Sequence, residues 1–162
     1  MNSRQDAMKS RRQESSNSNR LELVDFLCFA VYSANHAFNR VYQPLLKGLG
    51  LTYPQFIALI LLWEQDDQTV GELGRKLYLQ SNTLTPMLKR LETLGYIGRT
   101  RDATDERLVR IKLTEAGRKL RLRAVDIVQS VRDATGLRDA QVTGLKKEVD
   151  ALRRALESRY SR

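Results

Sequence analysis

A mainly α-helical chain carrying one small β-hairpin is the fold class this sequence predicts, and three observations predict it. Apolar residues recur at helical spacing through most of the chain, as in Leu84, Met87, Leu88 and Leu91. The spacing changes to alternation after Gly95, where Val109, Ile111 and Leu113 alternate with Arg110 and Lys112. Before that run lies the polar stretch DATDER, residues 102–107, with the composition of a hairpin tip. With 162 residues, the chain is long enough for one ordinary domain with a real core and too short for two large ones.

Residues 1–20 are rich in Ser, Asn, Gln, Arg and Lys and hold no aromatic or β-branched residue, so a disordered basic tail is expected. Over residues 21–43 the pattern is helical, with Leu23, Leu27, Val31, Ala34, Phe38 and Val41 on one face and Phe26, Phe29 and Tyr32 widening it. A helix apolar over so much of its circumference needs more cover than one small domain supplies, which predicts burial against a second copy. Pro44 is expected to end this helix. Thr52, Pro54 and Gln55 have the spacing of a capped helix start, and the helix runs through Phe56, Leu59, Ile60 and Trp63. Thr69 and Glu72 form a second capping box, opening a short helix to about Leu77.

The next helix, within residues 77–92, has its apolar face on Leu84, Met87, Leu88 and Leu91, leaving Thr83, Thr85, Lys89 and Arg90 on the other. Short hydroxyls beside long cations suit base edges and phosphates in a DNA major groove, although many solvated helices carry such a face. Residues 79–82 are expected to form the turn before it. Pro86 requires either a helix starting near Thr83, with the proline in its first turn, or a kink. Two short helices followed at once by a basic hairpin, residues 96–101 and 108–113, make a winged helix-turn-helix. At the wing tip, Arg107 is the candidate for minor-groove insertion, braced by Asp105; a solvated loop with a local ion pair is the plain alternative. Thr114 caps a long helix through Leu120, Ala124, Ile127, Val128 and Val131, and a last helix carries Leu145, Val149, Leu152 and Leu156. The organisation expected is therefore a tail (1–20), an N-terminal dimerisation helix (21–50), a DNA-binding domain (51–113) and C-terminal dimerisation helices (114–162).

The net charge of +9 is unevenly placed: +3 over residues 1–20, −2 over 21–79, +5 over 80–121 and +3 over 122–162. A positive maximum on the outward helix and hairpin favours a polyanionic partner. No apolar run approaches a membrane span, and the first twenty residues lack the apolar core of a signal peptide, so a cytoplasmic protein with no membrane partner is expected. One cysteine, Cys28, and one histidine exclude a disulfide framework within the chain and argue against a structural metal or other cofactor.

The stretches LCFAVYSA (27–34), YQPLLKGLGLTYPQF (42–56), TVGELGRKLYL (69–79), TLTPMLKRLE (83–92) and DERLVRIKLTEAG (105–117) resemble the MarR family of winged-helix repressors, and more narrowly its organic-hydroperoxide-sensing branch. The resemblance, covering about residues 23–120, implies an intertwined, triangular homodimer on a near-palindromic operator of double-stranded DNA. It also implies that Cys28 is the peroxide-reactive residue, with Tyr42 and Tyr53 hydrogen-bonding it across the dimer interface and Tyr32 in the same cluster. Phe26, Leu27 and Phe29 would supply an apolar wall for an organic tail. By position, Ser81, Thr83, Thr85, Pro86, Lys89, Arg90, Asp105 and Arg107 become the DNA-contact set. The chain departs from the branch in three places. Gln80-Ser81-Asn82 stands where Asp-Ser-Gly is common, Leu137 lies where some members have a second cysteine, and His36 and Phe38 occupy the first helix.

Three functions follow. The first is a repressor released when an organic hydroperoxide oxidises Cys28, with a low-molecular-weight thiol as a further partner. The second is a repressor released by a small aromatic or phenolic ligand, with Cys28 a bystander. The third, a thiol peroxidase, lacks a second cysteine to regenerate the first and leaves the winged helix unexplained.

Overall fold

The structure, a computed structural model, describes residues 22–160, the side chain of Tyr160 excepted; the basic tail expected over residues 1–20 lies outside them. Six α-helices are described: α1 Leu27–Lys47, α2 Tyr53–Glu64, α3 Val70–Leu77, α4 Ser81–Thr93, α5 Glu115–Ala134 and α6 Asp139–Tyr160. Three strands, β1 Gln68–Thr69, β2 Ile97–Arg101 and β3 Val109–Leu113, form an antiparallel sheet in the order β1-β3-β2. The chain divides after Phe38 into two compact units, with α1 crossing from one to the other.

In the first unit, the helix expected from residue 21 begins later. Leu23–Asp25 is a single 3-10 turn, and Phe26 is extended (φ −86°, ψ 116°). Its carbonyl accepts from the amides of Phe29 (3.0 Å) and Ala30 (3.1 Å), which places Phe26 at the cap of α1 and outside its stripe. In the second unit, Pro44 does not end α1, which continues to Lys47. A proline this close to a helix end removes one amide bond, and the buried Leu46 anchors the last turn. The chain then reverses through Gly50, whose φ of +67° is a left-handed value that glycine adopts without strain.

The core of the second unit is made by Phe56, Leu59 and Leu62 of α2, Leu73 of α3, Leu84, Leu88 and Leu91 of α4, and Ile97 and Ile111 of the sheet, all fully buried. Burying each such side chain contributes roughly 2 kcal/mol. The Gln55 side chain accepts from the Thr52 amide at 2.8 Å, starting α2 as the sequence predicts. At α3 the box is complete: Glu72 accepts from the Thr69 amide (2.7 Å) and hydroxyl (2.8 Å), and the Glu72 amide donates back to Thr69 Oγ1 (3.2 Å). These bonds hold the Glu72 carboxyl below its ordinary pKa.

The strand β1 is not among the elements the sequence predicts, Thr69 being expected only as a helix cap. Its register, Gln68 opposite Ile111 and Thr69 opposite Arg110, ties the start of α3 to the wing. Gln68 is buried because its amide completes other groups' bonding. Its Nε2 donates to the carbonyls of Leu61 (3.1 Å) and Gln65 (2.6 Å) at the end of α2, and its Oε1 accepts from Lys76 Nζ (2.6 Å).

Where the wing ends and α5 starts, Thr114 is the hub. Its hydroxyl accepts from the Gly117 amide (3.0 Å) and donates to the Gly95 carbonyl (2.6 Å), and its amide donates to the Tyr96 carbonyl (3.1 Å). Trp63 Nε1 donates to the Gly117 carbonyl at 2.9 Å. A Cβ on Gly117 would lie 2.0 Å from the Tyr96 carbonyl oxygen, which is backbone and cannot step aside. In contrast to α5, which buries Leu120, Ala124, Ile127 and Val131, α6 has no buried residue among its described side chains. Gly117→Ala is expected to destabilise the fold by about 3 kcal/mol through this collision; urea denaturation within about 1 kcal/mol of wild type would show that the junction yields.

Candidate nucleic-acid interface and cysteine site

The turn of the helix-turn-helix is shorter than predicted, running only from Tyr78 to Gln80. Tyr78 closes α3 in the left-handed region (φ 56°, ψ 35°), and the Leu79 amide returns to the Gly74 carbonyl at 3.0 Å. The reversal is tight: a Cβ on Gly74 would meet the Leu79 carbonyl oxygen at 3.0 Å. The extended Gln80 is the N-cap of α4 and makes no side-chain cap bond. Ser81 and Asn82 therefore belong to the helix, and Pro86 lies inside it rather than in its first turn. Of the two arrangements the sequence allowed, a start near Thr83 is excluded. Pro86 withholds the amide that would meet the Asn82 carbonyl, and the chain stays helical because Leu84, Leu88 and Leu91 pin the opposite face into the core.

Around that pinned face, Ser81, Asn82, Thr83, Pro86, Lys89 and Arg90 are exposed and Thr85 is half-buried. Six of the eight residues assigned to DNA thus come from one helix, with its first turn open. The remaining two, Asp105 and Arg107, lie in the exposed loop between β2 and β3. There the structure corrects the expected brace. Asp105 Oδ1 accepts from the backbone amide of Arg107 at 3.0 Å, so the carboxylate shapes the loop and does not pair with the guanidinium.

The group organising the wing tip is Asp102, which the sequence reading did not single out. Its Oδ1 accepts from the Thr104 hydroxyl (2.6 Å), the Thr104 amide (2.8 Å) and the Asp105 amide (3.2 Å), and its Oδ2 accepts from Arg110 Nη1 (2.9 Å). The Thr104 bonds, followed by Arg110, hold the Asp102 carboxyl far below the usual carboxylate range. Asp67, at φ +59°, is likewise lowered, chiefly by Arg110. A threonine two residues after an aspartate is a local turn signal legible in DATDE; the partnership with Arg110 is not, because it depends on the hairpin register for Asp102 and joins a distant segment at Asp67.

Cys28 is the second residue of α1 and is exposed. Phe26, Leu27 and Tyr32 around it in sequence are exposed, and Phe29 is half-buried. The Phe29 and Tyr32 rings are 6.3 Å apart, and Tyr32 meets His36 edge-on at 4.3 Å, so His36 enters the cluster as a ring neighbour of Tyr32. In the second unit, Tyr42 and Tyr53 are brought together at 4.5 Å between centroids, with Phe56 at 5.9 Å from Tyr42. Burial pushes both phenol pKa values up, with the neighbouring Tyr53 adding to the effect on Tyr42.

A two-helix unit with its second helix turned outward, followed by a two-stranded hairpin that pairs back onto β1, defines a winged-helix DNA-binding protein. The Transcriptional regulator SarA/Rot family matches residues 40–122. The organic hydroperoxide resistance transcriptional regulator of Bacillus subtilis (strain 168) is 44% identical, over 88% of this chain and 95% of that one. The HTH-type transcriptional regulator TtmR of Methylorubrum extorquens (strain PA1) is also 44% identical, over 82% of this chain and 68% of that one. Reduced AbfR bound to DNA is 33% identical with a TM-score of 0.67, covering 93% of this chain and 99% of that one. The disulfide form of this Staphylococcus epidermidis protein is 32% identical with a TM-score of 0.60, covering 97% and 99%. The chain belongs to the MarR- and SarA/Rot-type winged-helix transcriptional regulators, in the branch of the organic hydroperoxide resistance regulators. These relatives are all named transcriptional regulators.

The wing carboxylates give a pH signature. A folded pKa below the unfolded value stabilises the folded wing above the ordinary aspartate pKa, about pH 4, and the contribution is lost as pH falls below that. Amide exchange at Thr104 and Asp105, corrected for intrinsic rates, is expected to be level from neutral pH to about pH 5 and to accelerate below about pH 4. Acceleration already between pH 7 and 5 would contradict the assignment.

Proposed function

We propose that this chain is a thiol-switched repressor: a homodimer that holds a near-palindromic operator while Cys28 is reduced and lets go when an organic hydroperoxide oxidises it. The observation that carries the reading is Cys28 itself, the sole cysteine, exposed at the head of α1 amid aromatic and aliphatic side chains in a chain 44% identical to a hydroperoxide resistance regulator. The Cys28 thiolate attacks one peroxide oxygen, the O–O bond breaks, and the alkoxide leaves to take a proton as the alcohol, with sulfenic acid remaining on sulfur. Phe26, Leu27 and Phe29 favour a substrate with an organic tail. Tyr42 and Tyr53, already paired with each other, are the donors assigned to the thiol of the opposite protomer, and Tyr32 is assigned to the same pocket.

Dimerisation is supported by the apolar side chains left uncovered: Leu23, Leu27 and Val31 at the N-terminal end, Leu122 and Val125 on α5, and Leu145, Val149 and Leu156 on α6. In the dimer the two α4 helices enter major grooves about 34–36 Å apart. Ser81, Thr83, Thr85 and Pro86 face base edges and sugar-phosphate, Lys89 and Arg90 face phosphate, and Arg107, on the loop shaped by Asp105, enters the flanking minor groove. A small shift between protomers then lowers affinity. Because the chain has one cysteine, its sulfenic acid is captured by a low-molecular-weight thiol or oxidised further.

One observation favours the second reading. A groove of about 350 Å³ between α2 and α5 is lined by Ile60, Trp63, Ala124, Val125 and Val128, with Glu64 and Arg121 at its edge. Its size and lining suit a small aromatic acid.

Operator release separates the two. With one equivalent of an organic hydroperoxide, wild type is expected to dissociate and Cys28→Ser to remain bound; release of both, or of neither, would move the sensor away from Cys28. Mass spectrometry of the oxidised protein is expected to show a mixed disulfide or a higher sulfur acid, and an interchain Cys28 disulfide as the sole product would contradict that fate. Lys89→Ala is expected to reduce the salt slope of binding by about one unit, and an unchanged slope would exclude a phosphate contact.

A further inference from the structure

Arg110 is the second residue of the central strand, opposite Thr69 on one side and Thr100 on the other. Its guanidinium reaches past both neighbours. On the β1 side, Nε donates to Asp67 Oδ1 at 2.6 Å and Nη2 to the Asp67 carbonyl at 2.5 Å. On the β2 side, Nη1 donates to Asp102 Oδ2 at 2.9 Å. One side chain therefore spans the sheet and ties its two outer turns together. Asp67 leads into the capping box that starts α3, and Asp102 folds the tip that presents Arg107.

The chemistry requires arginine. A planar fork with donors on three nitrogens can serve a carboxylate, a carbonyl and a second carboxylate at once, which a lysine ammonium on a flexible stem does not reproduce. The groups are also sheltered, with the side chains of Arg110 and Asp102 only 31% and 11% exposed. Asp67 holds a left-handed backbone conformation that a non-glycine residue keeps only where its surroundings over-determine it, and here the same guanidinium binds both its carboxylate and its carbonyl. Lys112 Nζ, at 3.4 Å from Asp67 Oδ2, adds a weaker exposed contact.

We propose that Arg110 is a positioning residue for DNA binding: it locks the wing tip to the start of the helix-turn-helix, so that Arg107 and the outer face of α4 meet the duplex at a fixed spacing. This inference rests on the reading of α4 and the wing as the DNA-contacting elements. Its physical content is pre-organisation. A hairpin tip that is ordered before binding does not lose conformational freedom on contact, whereas a loose one does.

The test uses full-length wild type, Arg110→Gln, Arg110→Lys, Arg107→Ala and the Arg107→Ala/Arg110→Gln double variant, on a duplex that wild type selects from a randomised pool. Arg110→Gln is expected to bind about tenfold more weakly with a salt slope reduced by about one unit, as for a lost arm contact. Hydroxyl-radical protection should disappear at the outer edges of the footprint and persist at its centre. Arg110→Lys should fall between, and Arg107→Ala should cost little more in the Arg110→Gln background, because the two act through one contact. Additive losses, or a footprint that keeps its edges, would overturn the proposal. Amide exchange at Thr104 and Asp105 in the DNA-free protein is the independent readout, with about tenfold faster exchange expected in Arg110→Gln. Unchanged exchange overturns the lock whatever the DNA result. Failure of wild type to select any duplex, with exchange accelerated as expected, would instead sink the DNA-contact reading and leave the lock standing. If Arg110→Gln does not fold, Arg110→Lys and Asp102→Asn carry the same comparison.

Discussion

At Gly117 the first turn of α5 lies against the Tyr96 carbonyl with no room for a side-chain carbon between them. The residues on either side of that contact explain why the approach is kept. Tyr96 immediately precedes β2, and its hydroxyl donates to the Leu49 carbonyl after α1 at 3.2 Å. The carbonyl of Gly117 receives the Trp63 indole from α2. The end of α4, the start of the wing, the long helix α5 and the two helices before them are thus referred to one backbone contact. The relation between the outward helix and the hairpin is set before any charged group is considered.

Electrostatics then refines what packing fixes. The acidic residues of this region are used one by one, each on a defined donor. Glu72 serves the cap of α3. Asp66 accepts from the Leu113 amide (2.8 Å) and pairs with Arg118 (2.9 Å), joining the turn before β1 to the end of β3 and the start of α5. Asp67 and Asp102 share Arg110. With these carboxylates spent inside the wing and its supports, Lys89, Arg90 and Arg107 remain exposed on the surfaces facing outward. The local excess of positive charge legible in residues 80–121 is therefore divided between cations that hold the fold and cations that stay exposed.

What was legible in the sequence was whatever depends on near neighbours. The apolar stripe of α4, the boxes at Thr52 and Thr69, the cap at Thr114 and the alternation of β3 all follow from spacings of a few residues, and the structure has each of them. The misses have two physical sources. At Pro44 and Pro86 a local rule was overridden by burial, since Leu46 and the row of Leu84, Leu88 and Leu91 hold helical turns that proline weakens. At β1 and at the bond from Arg110 to Asp67 the determining partner lies far along the chain. The partners of Gln68, though near in sequence, meet it only through the packing of α2 against α3, so no local pattern announces either. The same limit applies around Cys28. Tyr42 and Tyr53 do meet, but no spacing in the sequence relates either of them to Cys28.

The last helix carries a consequence of a different kind. None of the described side chains of α6 is buried, and the helix is held locally by pairs such as Lys146 with Asp150 and Arg153 with Glu157. Exposed pairs of this type contribute only about 0.3–0.5 kcal/mol each, too little to keep 22 residues helical against their own entropy. Apart from Arg153 stacking on the Tyr78 ring at 4.6 Å, α6 needs a further covering surface to stay ordered. If that surface is a second copy, the abundance of the protein becomes a structural variable. Dilution would fray the C-terminus first, offering proteases a tail that a crowded population conceals, and the level of the regulator would feed back on its own lifetime.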